Sequence, residues 1–474
     1  MKASEFIKNT LKYCIPSVVS AIVAISVIPI ISRVYPTAEY GVINLFYSVG
    51  NMLLYIVLMG LDAALIRFYY EQPKDISRKE LFQLALWTGI IIDAAICIIA
   101  IIFFPTTTSQ FLFGENKPQL IILMAVYIVG LILFRLLSIE TRMENKAGIY
   151  NVQQILLIFS NRVSFVIVAF FSTHYTFSIV AITFSTILIG AVFVIIQKNI
   201  DDFAFPKVQR KAFKEVLAFA IPLMPTTVMT WLNNSAGKMV LSAYNNFALV
   251  GVLSIATSVA NIFSLIPAAF ATYWSPFIYK NYNTEQLFIK RVHSYICLLS
   301  IIIIIGIFLL QDILYYIVGG DYKQSQPYFM LIMLAPIQSL LCETTSYGII
   351  LSNKTKYNLY ISIAAVLFNI GFSAMLYPAI GINAVVIGIA GAAIIQLVAK
   401  TIIGQHYYSS IEKPFSTVIA LLIILTLTAS NYFIYNNIKM RLLLSGVVAV
   451  VTAMNYKIQI KDMILSGKRY LNSK

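Results

Sequence analysis

Long apolar stretches, separated by short polar and basic segments, recur along the whole chain. An α-helix of about 20 predominantly apolar residues is long enough to cross the hydrocarbon core of a bilayer. No connection between the stretches is large enough to form a separate soluble domain. The pattern therefore predicts an all-α, polytopic membrane protein with fourteen transmembrane helices. The predicted spans are 12–33, 41–66, 80–104, 119–139, 147–171, 176–197, 216–243, 247–273, 288–317, 325–351, 357–378, 381–404, 415–435 and 440–456.

Lysine and arginine are distributed unequally between the two sets of connections. If the N-terminus is cytoplasmic, the cytoplasmic segments carry twenty-five basic residues and the opposite segments carry five. Cytoplasmic segments of membrane proteins are enriched in Lys and Arg. The distribution predicts two cytoplasmic termini and hence an even number of spans. The cytoplasmic residues in this arrangement include Lys2, Lys8, Lys12, Lys74, Lys198, Lys207, Arg210, Lys468, Arg469 and Lys474.

Two short motifs recur in the same order, about 206 to 210 residues apart. They are Cys14-Ile15-Pro16 with Ala220-Ile221-Pro222, and Tyr35-x5-Gly41-Val42 with Tyr244-x6-Gly251-Val252. Repeats of equal orientation are related by an axis along the membrane normal. We therefore expect two six-helix lobes, residues 1–205 and 206–410, followed by two additional helices and a cytoplasmic tail in residues 411–474.

The composition agrees with a membrane protein and argues against several kinds of binding site. Only 11% of the 474 residues are charged and 59% are hydrophobic, whereas soluble domains are about 25% charged. The net charge of +15 does not indicate nucleic-acid binding, because the basic residues lie between apolar spans instead of forming one patch. The cysteines and histidines are isolated, so no metal site is predicted. The chain also has no phosphate-binding G-x-x-x-x-G-K-[ST] loop, and no cofactor is predicted.

Three motifs resemble the polysaccharide transporter branch, the Wzx-type flippases, of the multidrug/oligosaccharidyl-lipid/polysaccharide exporter superfamily. The first is Ile31-Ser32-Arg33-Val34-Tyr35-Pro36 leading into Glu39-Tyr40-Gly41; the second is Gly60-Leu61-Asp62-Ala63-Ala64-Leu65-Ile66-Arg67-Phe68-Tyr69. The third is Leu232-Asn233-Asn234-Ser235-Ala236-Gly237-Lys238. Many relatives have Asp before the basic residue, where this chain has Gly237, so the role of an acidic partner does not carry over to that position. The resemblance extends over most of the chain.

The resemblance implies two six-helix bundles around a central cavity in the bacterial inner membrane. It also implies outward movement of undecaprenyl-diphosphate-linked oligosaccharide repeat units, for O-antigen and lipopolysaccharide, capsule or a related surface polymer. Membrane lipid is a second expected partner, and other polysaccharide-assembly proteins are left open as partners. Such a protein is a transporter and not an enzyme.

A charge within a span costs roughly 2.5–3.5 kcal/mol on insertion scales, so it usually faces a cavity or a partner. Arg162 in the fifth span and Lys238 in the seventh are the sharpest candidates for binding the lipid diphosphate-sugar. A guanidinium can grip the oxygens of a diphosphate bidentately. The alternatives are an ion pair of Arg162 with Asp93 in the third span, and a Lys238 side chain that extends to the membrane interface.

Three further arginines are weaker candidates for the same ligand. Arg135 lies near the cytoplasmic end of the fourth span, and Arg67 lies at the cytoplasmic end of the second. Arg33 closes the first span on the outer side. Anchoring at the membrane interface explains each of them as well. Asp62 lies five residues before Arg67, which is not the spacing of a helical ion pair.

Asp93 and Glu343 are the clearly intramembrane acids. Together with Asp62 they are candidates for ion coupling, or alternatively for charge pairing with a neighbouring base. Two other functions are considered. A cation-coupled multidrug exporter of the same superfamily predicts a site dominated by acids. A membrane-embedded polysaccharide polymerase or ligase predicts a large outer loop with charged residues, and the outer loops here are short.

Overall fold

The computed structural model describes residues 3–70, 76–197, 200–206 and 210–462. These residues form α-helices, two short 3₁₀ helices and connections, and they contain no β-strand. Fourteen segments are long and apolar enough to cross a membrane. The predicted all-α, polytopic fold with fourteen spans is confirmed. Lys2, Lys74, Lys198, Lys207, Lys468, Arg469 and Lys474 lie outside the described residues, as do the side chains of Lys8, Lys12 and Arg210.

The chain divides into two compact units. Unit 1 is Met1–Ser254 and unit 2 is Ile255–Lys474. The lobe boundaries expected from the sequence repeat stay a prediction. The helices of unit 1 are α1 (Ala3–Val34), α2 (Thr37–Val57), α3 (Leu61–Arg67), α4 (Arg78–Phe103), α5 (Pro105–Phe113), α6 (Gln119–Met143), α7 (Ala147–Arg162), α8 (Ser164–Ala169), α9 (Tyr175–Gln197), α10 (Arg210–Ala220) and α11 (Met224–Ala243). Helix α12 (Phe247–Ile262) begins in unit 1 and ends in unit 2.

Unit 2 contains the remaining helices. They are α13 (Leu265–Asn281), α14 (Gln286–Ile317), α15 (Gln326–Ile332), α16 (Leu334–Thr345), α17 (Tyr347–Leu351), α18 (Lys356–Ile380), α19 (Ile382–Tyr407), α20 (Pro414–Ile434) and α21 (Ile438–Asn455). Helices α18 and α19 form an antiparallel pair, and α16 packs on α19.

The two C-terminal helices, α20 and α21, pack on α14 and are joined to it by polar contacts. The guanidinium of Arg441, 1% exposed, pairs with Asp312 and donates to the Phe308 carbonyl oxygen at 2.9 Å. The Gln311 amide donates to Asn431 Oδ1 at 2.6 Å. Because polar groups inside a membrane protein need partners, these bonds fix the position of α20 and α21 against α14.

Five predicted spans are interrupted, namely 41–66, 147–171, 216–243, 247–273 and 325–351. The break in the first of them positions a candidate residue. The sequence predicts a continuous helix over 41–66, but α2 ends at Val57 and α3 begins at Leu61. Met59 and Gly60 have positive φ values of 48° and 79°, and a left-handed backbone ends an α-helix. A Cβ at Gly60 would overlap the Ala220 carbonyl oxygen, so this residue has no room for a side chain. The break places Asp62 on a separate short helix.

Candidate functional site

Helix α2 carries a line of polar and aromatic side chains along an otherwise apolar span. Asn44, Tyr47, Asn51 and Tyr55 follow one another at spacings of three and four residues, which places them on one helix face. All four are half-buried, whereas Leu45 and Phe46 beside them are fully buried. With a rise of 1.5 Å per residue the line is about 16 Å long. We call it the α2 stripe, and a polar stripe of this kind indicates a face that is not in contact with lipid tails.

Lys238 reaches this helix from α11. Its Nζ donates to Ser48 Oγ at 3.1 Å, and Ser48 is buried next to Tyr47 of the stripe. Among the described residues, no carboxylate lies within ion-pairing distance of Lys238. A side chain that extends to the membrane interface would not make this contact. The ammonium therefore lies inside unit 1, with one hydroxyl as its protein ligand.

Arg162 of α7 is a second basic residue associated with the stripe. It is the last residue of α7, where the helix is interrupted at Val163 before α8 begins. Its half-buried guanidinium lies within electrostatic range of the Tyr47 hydroxyl. In the part of the chain that the structure describes, Arg162 forms no ion pair, with Asp93 or with any other acid. Its positive charge is thus available to a ligand.

Arg135 of α6 lies near the other end of the stripe and is neutralised. Its Nη2 and Nε lie 2.9 Å and 3.3 Å from Asp62 Oδ2. The guanidinium also lies over the Tyr55 ring, 5.7 Å from the centroid. The ring of Tyr55 in turn stacks on Trp231 of α11, with centroids 5.7 Å apart and planes inclined by 23°. The break after α2 makes this pair possible because it places Asp62 on α3, beside α6.

These contacts define a cationic site on unit 1, made of the α2 stripe, Ser48 and the three basic residues Arg135, Arg162 and Lys238. Three helices other than α2 supply the bases. One carboxylate, Asp62, faces the site and is paired, so two positive charges are uncompensated by the described residues. Charges in a membrane interior interact strongly with an opposite charge because the surroundings have a low dielectric constant. The electrostatics of this site therefore favour an anion over a cation.

The other sequence candidates in unit 1 do not join this site. Arg33 is exposed, and its Nη1 donates to the Pro29 carbonyl oxygen at 2.8 Å within its own helix. Arg67 is exposed at the end of α3. Asp93 is 3% exposed. It lies on the face of α4 whose Gly89 and Cys97 approach α6, and the described residues give it no ion pair.

Glu343 belongs to unit 2. It lies on α16, half-buried, and accepts a long hydrogen bond of 3.4 Å from the Tyr347 hydroxyl. Tyr347 is also hydrogen-bonded to Ser275. Lys400 of α19 lies within electrostatic range of Glu343. This acid is thus held in a polar cluster of its own unit.

Reasoning from charged residues alone missed the stripe itself and Trp231. The signal was present, because Asn44, Tyr47, Asn51 and Tyr55 recur with helical spacing inside the second predicted span. Trp231 gave no comparable signal. Its position opposite Tyr55 follows from the packing of α11 on α2.

Comparison with known proteins identifies the family. The profile of the family described as "Polysaccharide biosynthesis protein" matches residues 6–282, which is more than half of the chain. The structure is similar to the lipid II flippase MurJ in an inward closed conformation, with a TM-score of 0.68 and 16% identity over 94% of this chain and 99% of that one.

A second structural relative is an inward-facing multidrug resistance MATE family transporter of the MOP superfamily. Its TM-score is 0.51, with 15% identity over 81% of this chain and 97% of that one. No curated protein sequence matches the chain. The chain belongs to the polysaccharide biosynthesis protein family, and it is a multi-pass membrane protein with the fold of the MurJ flippase and the MATE transporters of the MOP superfamily.

Proposed function

We propose that the protein is a flippase that moves undecaprenyl-diphosphate-linked oligosaccharide units outward across the bacterial inner membrane. The polymer made from these units would be O-antigen, capsule or a related surface polysaccharide. One observation carries the proposal: Lys238 donates to Ser48 of α2, Arg162 lies within electrostatic range of the adjacent Tyr47, and no described carboxylate neutralises either base.

The geometry suits a diphosphate. Tyr47 and Ser48 are adjacent residues of α2, so the two cations associated with them lie near the same turn of this helix. A diphosphate carries its charge on two linked phosphoryl groups, which can contact both cations at once. Arg162 would supply a planar, bidentate donor and Lys238 a compact point charge. The polyprenyl tail would stay in lipid while the head group occupies the α2 stripe.

Family and fold agree with this assignment. The family is described as acting in polysaccharide biosynthesis, and the structural relative MurJ is described as a lipid II flippase. A cation-coupled multidrug exporter predicts an acidic site, whereas the acid at this site, Asp62, is neutralised by Arg135. The excess of basic residues in alternate connections supports two cytoplasmic termini. Movement of the repeats against each other would expose the site alternately to the two sides, as in other transporters built from repeats.

Asp93 and Glu343 are proposed as sites of ion coupling, with Asp93 the stronger candidate. Asp93 is 3% exposed and has no ion pair among the described residues, so no neighbouring charge occupies its carboxyl group and it can take up a coupling ion. Glu343 is less isolated because Tyr347 and Lys400 lie near it.

The test is a double substitution, Arg162→Ala with Lys238→Ala, in cells whose chromosomal gene has been deleted. We expect surface polymer to be lost and lipid-linked units to accumulate on the cytoplasmic leaflet, with normal amounts of protein in the membrane. The matched control is Lys323→Ala with Lys439→Ala, which removes two positive charges from exposed positions of unit 2. Unchanged export in the Arg162/Lys238 variant would refute the assigned roles. A polymerase defect would instead leave single units displayed on the outer surface.

A further inference from the structure

Four side chains contact one another in sequence at the Tyr55 end of the α2 stripe. Asp62 pairs with Arg135, the Arg135 guanidinium lies over one face of Tyr55, and Trp231 stacks on the Tyr55 ring. The charge of Arg135 is already satisfied by Asp62, so this end of the site is not suited to a second anion. What the stack offers a ligand is the aromatic surface of Trp231.

The two ends of the site are related by the packing of α2 on α11. Ser48 contacts Lys238 and Tyr55 contacts Trp231. Ser48 and Tyr55 are seven residues apart on α2, and Trp231 and Lys238 are seven residues apart, in the reverse order, on α11. The helices are therefore antiparallel, with two levels of contact about 10 Å apart along their axes. The first level is cationic and the second aromatic. A sugar attached directly to a diphosphate can extend from one level to the other.

Trp231 retains surface and hydrogen-bonding capacity. The residue is half-buried, and within the described part of the chain its indole N–H donates to no protein acceptor. Trp87 shows the contrast, because its indole N–H donates to the Phe203 carbonyl oxygen at 3.1 Å. A pyranose ring with one face of C–H groups stacks on the negative face of an aromatic ring, and its hydroxyls can accept from a free indole N–H. Apolar walls with a few placed polar groups are typical of small-molecule sites.

We propose that Tyr55 and Trp231 form a sugar platform, on which a pyranose near the diphosphate end of the oligosaccharide stacks against Trp231. The inference rests on the proposed function, because it assigns one part of the same site to the glycan. Arg135 and Asp62 are positioning residues here: they hold Tyr55 from its other face and do not contact the phosphates. With the orientation expected from the sequence, the glycan lies on the cytoplasmic side of the diphosphate.

The experiment uses the purified full-length protein in lipid nanodiscs and two probes, citronellyl diphosphate and the same diphosphate esterified with N-acetylglucosamine. The chain has three tryptophans, so Trp87→Phe with Trp274→Phe leaves Trp231 as the only indole fluorophore. We expect the sugar-bearing probe to shift and quench this fluorescence, and the bare diphosphate to leave it nearly unchanged. Equal fluorescence changes with both probes would refute the proposed sugar platform.

Affinity measurements form the second arm. Trp231→Leu should weaken binding of the sugar-bearing probe about tenfold, equivalent to about 1.4 kcal/mol, and leave the bare diphosphate unaffected. Trp231→Phe should keep most of the affinity, and the control Trp87→Leu should keep all of it. If the sugar-bearing probe bound wild type and Trp231→Leu with equal affinity, the sugar platform would be refuted. The proposed function would not be affected by that result. Failure of the wild type to bind either probe would instead refute the proposed function.

Discussion

Gly41 of α2 and Gly251 of α12 meet backbone to backbone, and the contact is reciprocal. A Cβ at Gly41 would overlap the Phe247 carbonyl oxygen and lie 3.0 Å from the Gly251 nitrogen. A Cβ at Gly251 would overlap the Thr37 carbonyl oxygen and lie 3.3 Å from the Gly41 nitrogen. Each glycine thus faces the carbonyl four residues before the other one.

A methyl group at this contact should separate α2 from α12. We expect Gly41→Ala to destabilise the protein by about 1–3 kcal/mol, because the atoms in the way belong to backbone and cannot rotate aside. The measurement is unfolding in mixed detergent micelles, together with export in cells. Gly148→Ala on α7 is the matched control, since a Cβ there meets nothing within 4 Å. Equal stability of the two variants would show that the helices can move apart at no cost.

The Asp62–Arg135 pair should behave as one energetic unit. Asp62→Asn leaves a guanidinium without its counter-charge, and we expect a loss of about 2 kcal/mol. In a double-mutant cycle with Arg135→Gln the coupling energy should reach about 1 kcal/mol or more. The exposed pair Glu144–Lys146 serves as the control, and Glu144→Gln should cause no measurable change. Strict additivity of the two substitutions would contradict the pairing.

Replacement of Asp93 should abolish the coupling of transport to a pH gradient without weakening substrate binding. Asp93→Asn removes the titratable proton but keeps the shape of a side chain that lies between α4 and α6. We expect transport in proteoliposomes to lose its dependence on an imposed pH gradient, while binding of citronellyl diphosphate stays within twofold of wild type. A variant that responds to the gradient as wild type does would remove Asp93 from the coupling mechanism.

The connection between α5 and α6 should contribute pH-dependent stability. Lys117 Nζ lies 2.6 Å from Glu115 Oε2. This pairing lowers the pKa of Glu115 below its ordinary value of 4.5 and raises the pKa of Lys117 above 10.5. The Glu115 contribution is present above pH 4.5 and is lost as the pH falls through the lowered pKa. The Lys117 contribution is present below pH 10.5 and is lost as the pH rises through the raised pKa.

Lys117→Met should therefore destabilise the protein between these limits, by about 0.5 kcal/mol because both side chains are partly exposed. The difference from wild type should vanish well below pH 4.5. Thermal unfolding of wild type and of Lys117→Met across this pH range measures the difference in stability. A difference that persists in acid would show that Lys117 acts through its packing on Tyr175, whose ring centroid lies 5.2 Å from Nζ, and not through its charge.

The number of spans and the main candidate bases could be read from the primary structure. Span length is dictated by bilayer thickness, so each apolar stretch of sufficient length predicts a helix without knowledge of its neighbours. Arg162 and Lys238 stood out because an intramembrane charge is costly wherever it lies along a span. The recurrence of Tyr35 and Gly41 as Tyr244 and Gly251 could also be read from the sequence. The sequence did not show that the two glycines contact each other.

Tertiary structure decided which charges are free. Asp62 and Arg135 are 73 residues apart, and their pairing depends on the left-handed break at Met59 and Gly60 and on the packing of α3 beside α6. No periodicity within one helix encodes such a partner, because an ion pair between helices is set by how their faces meet in space. For the same reason the sequence did not place Trp231 in the site, because its contact with Tyr55 depends on how α11 packs against α2.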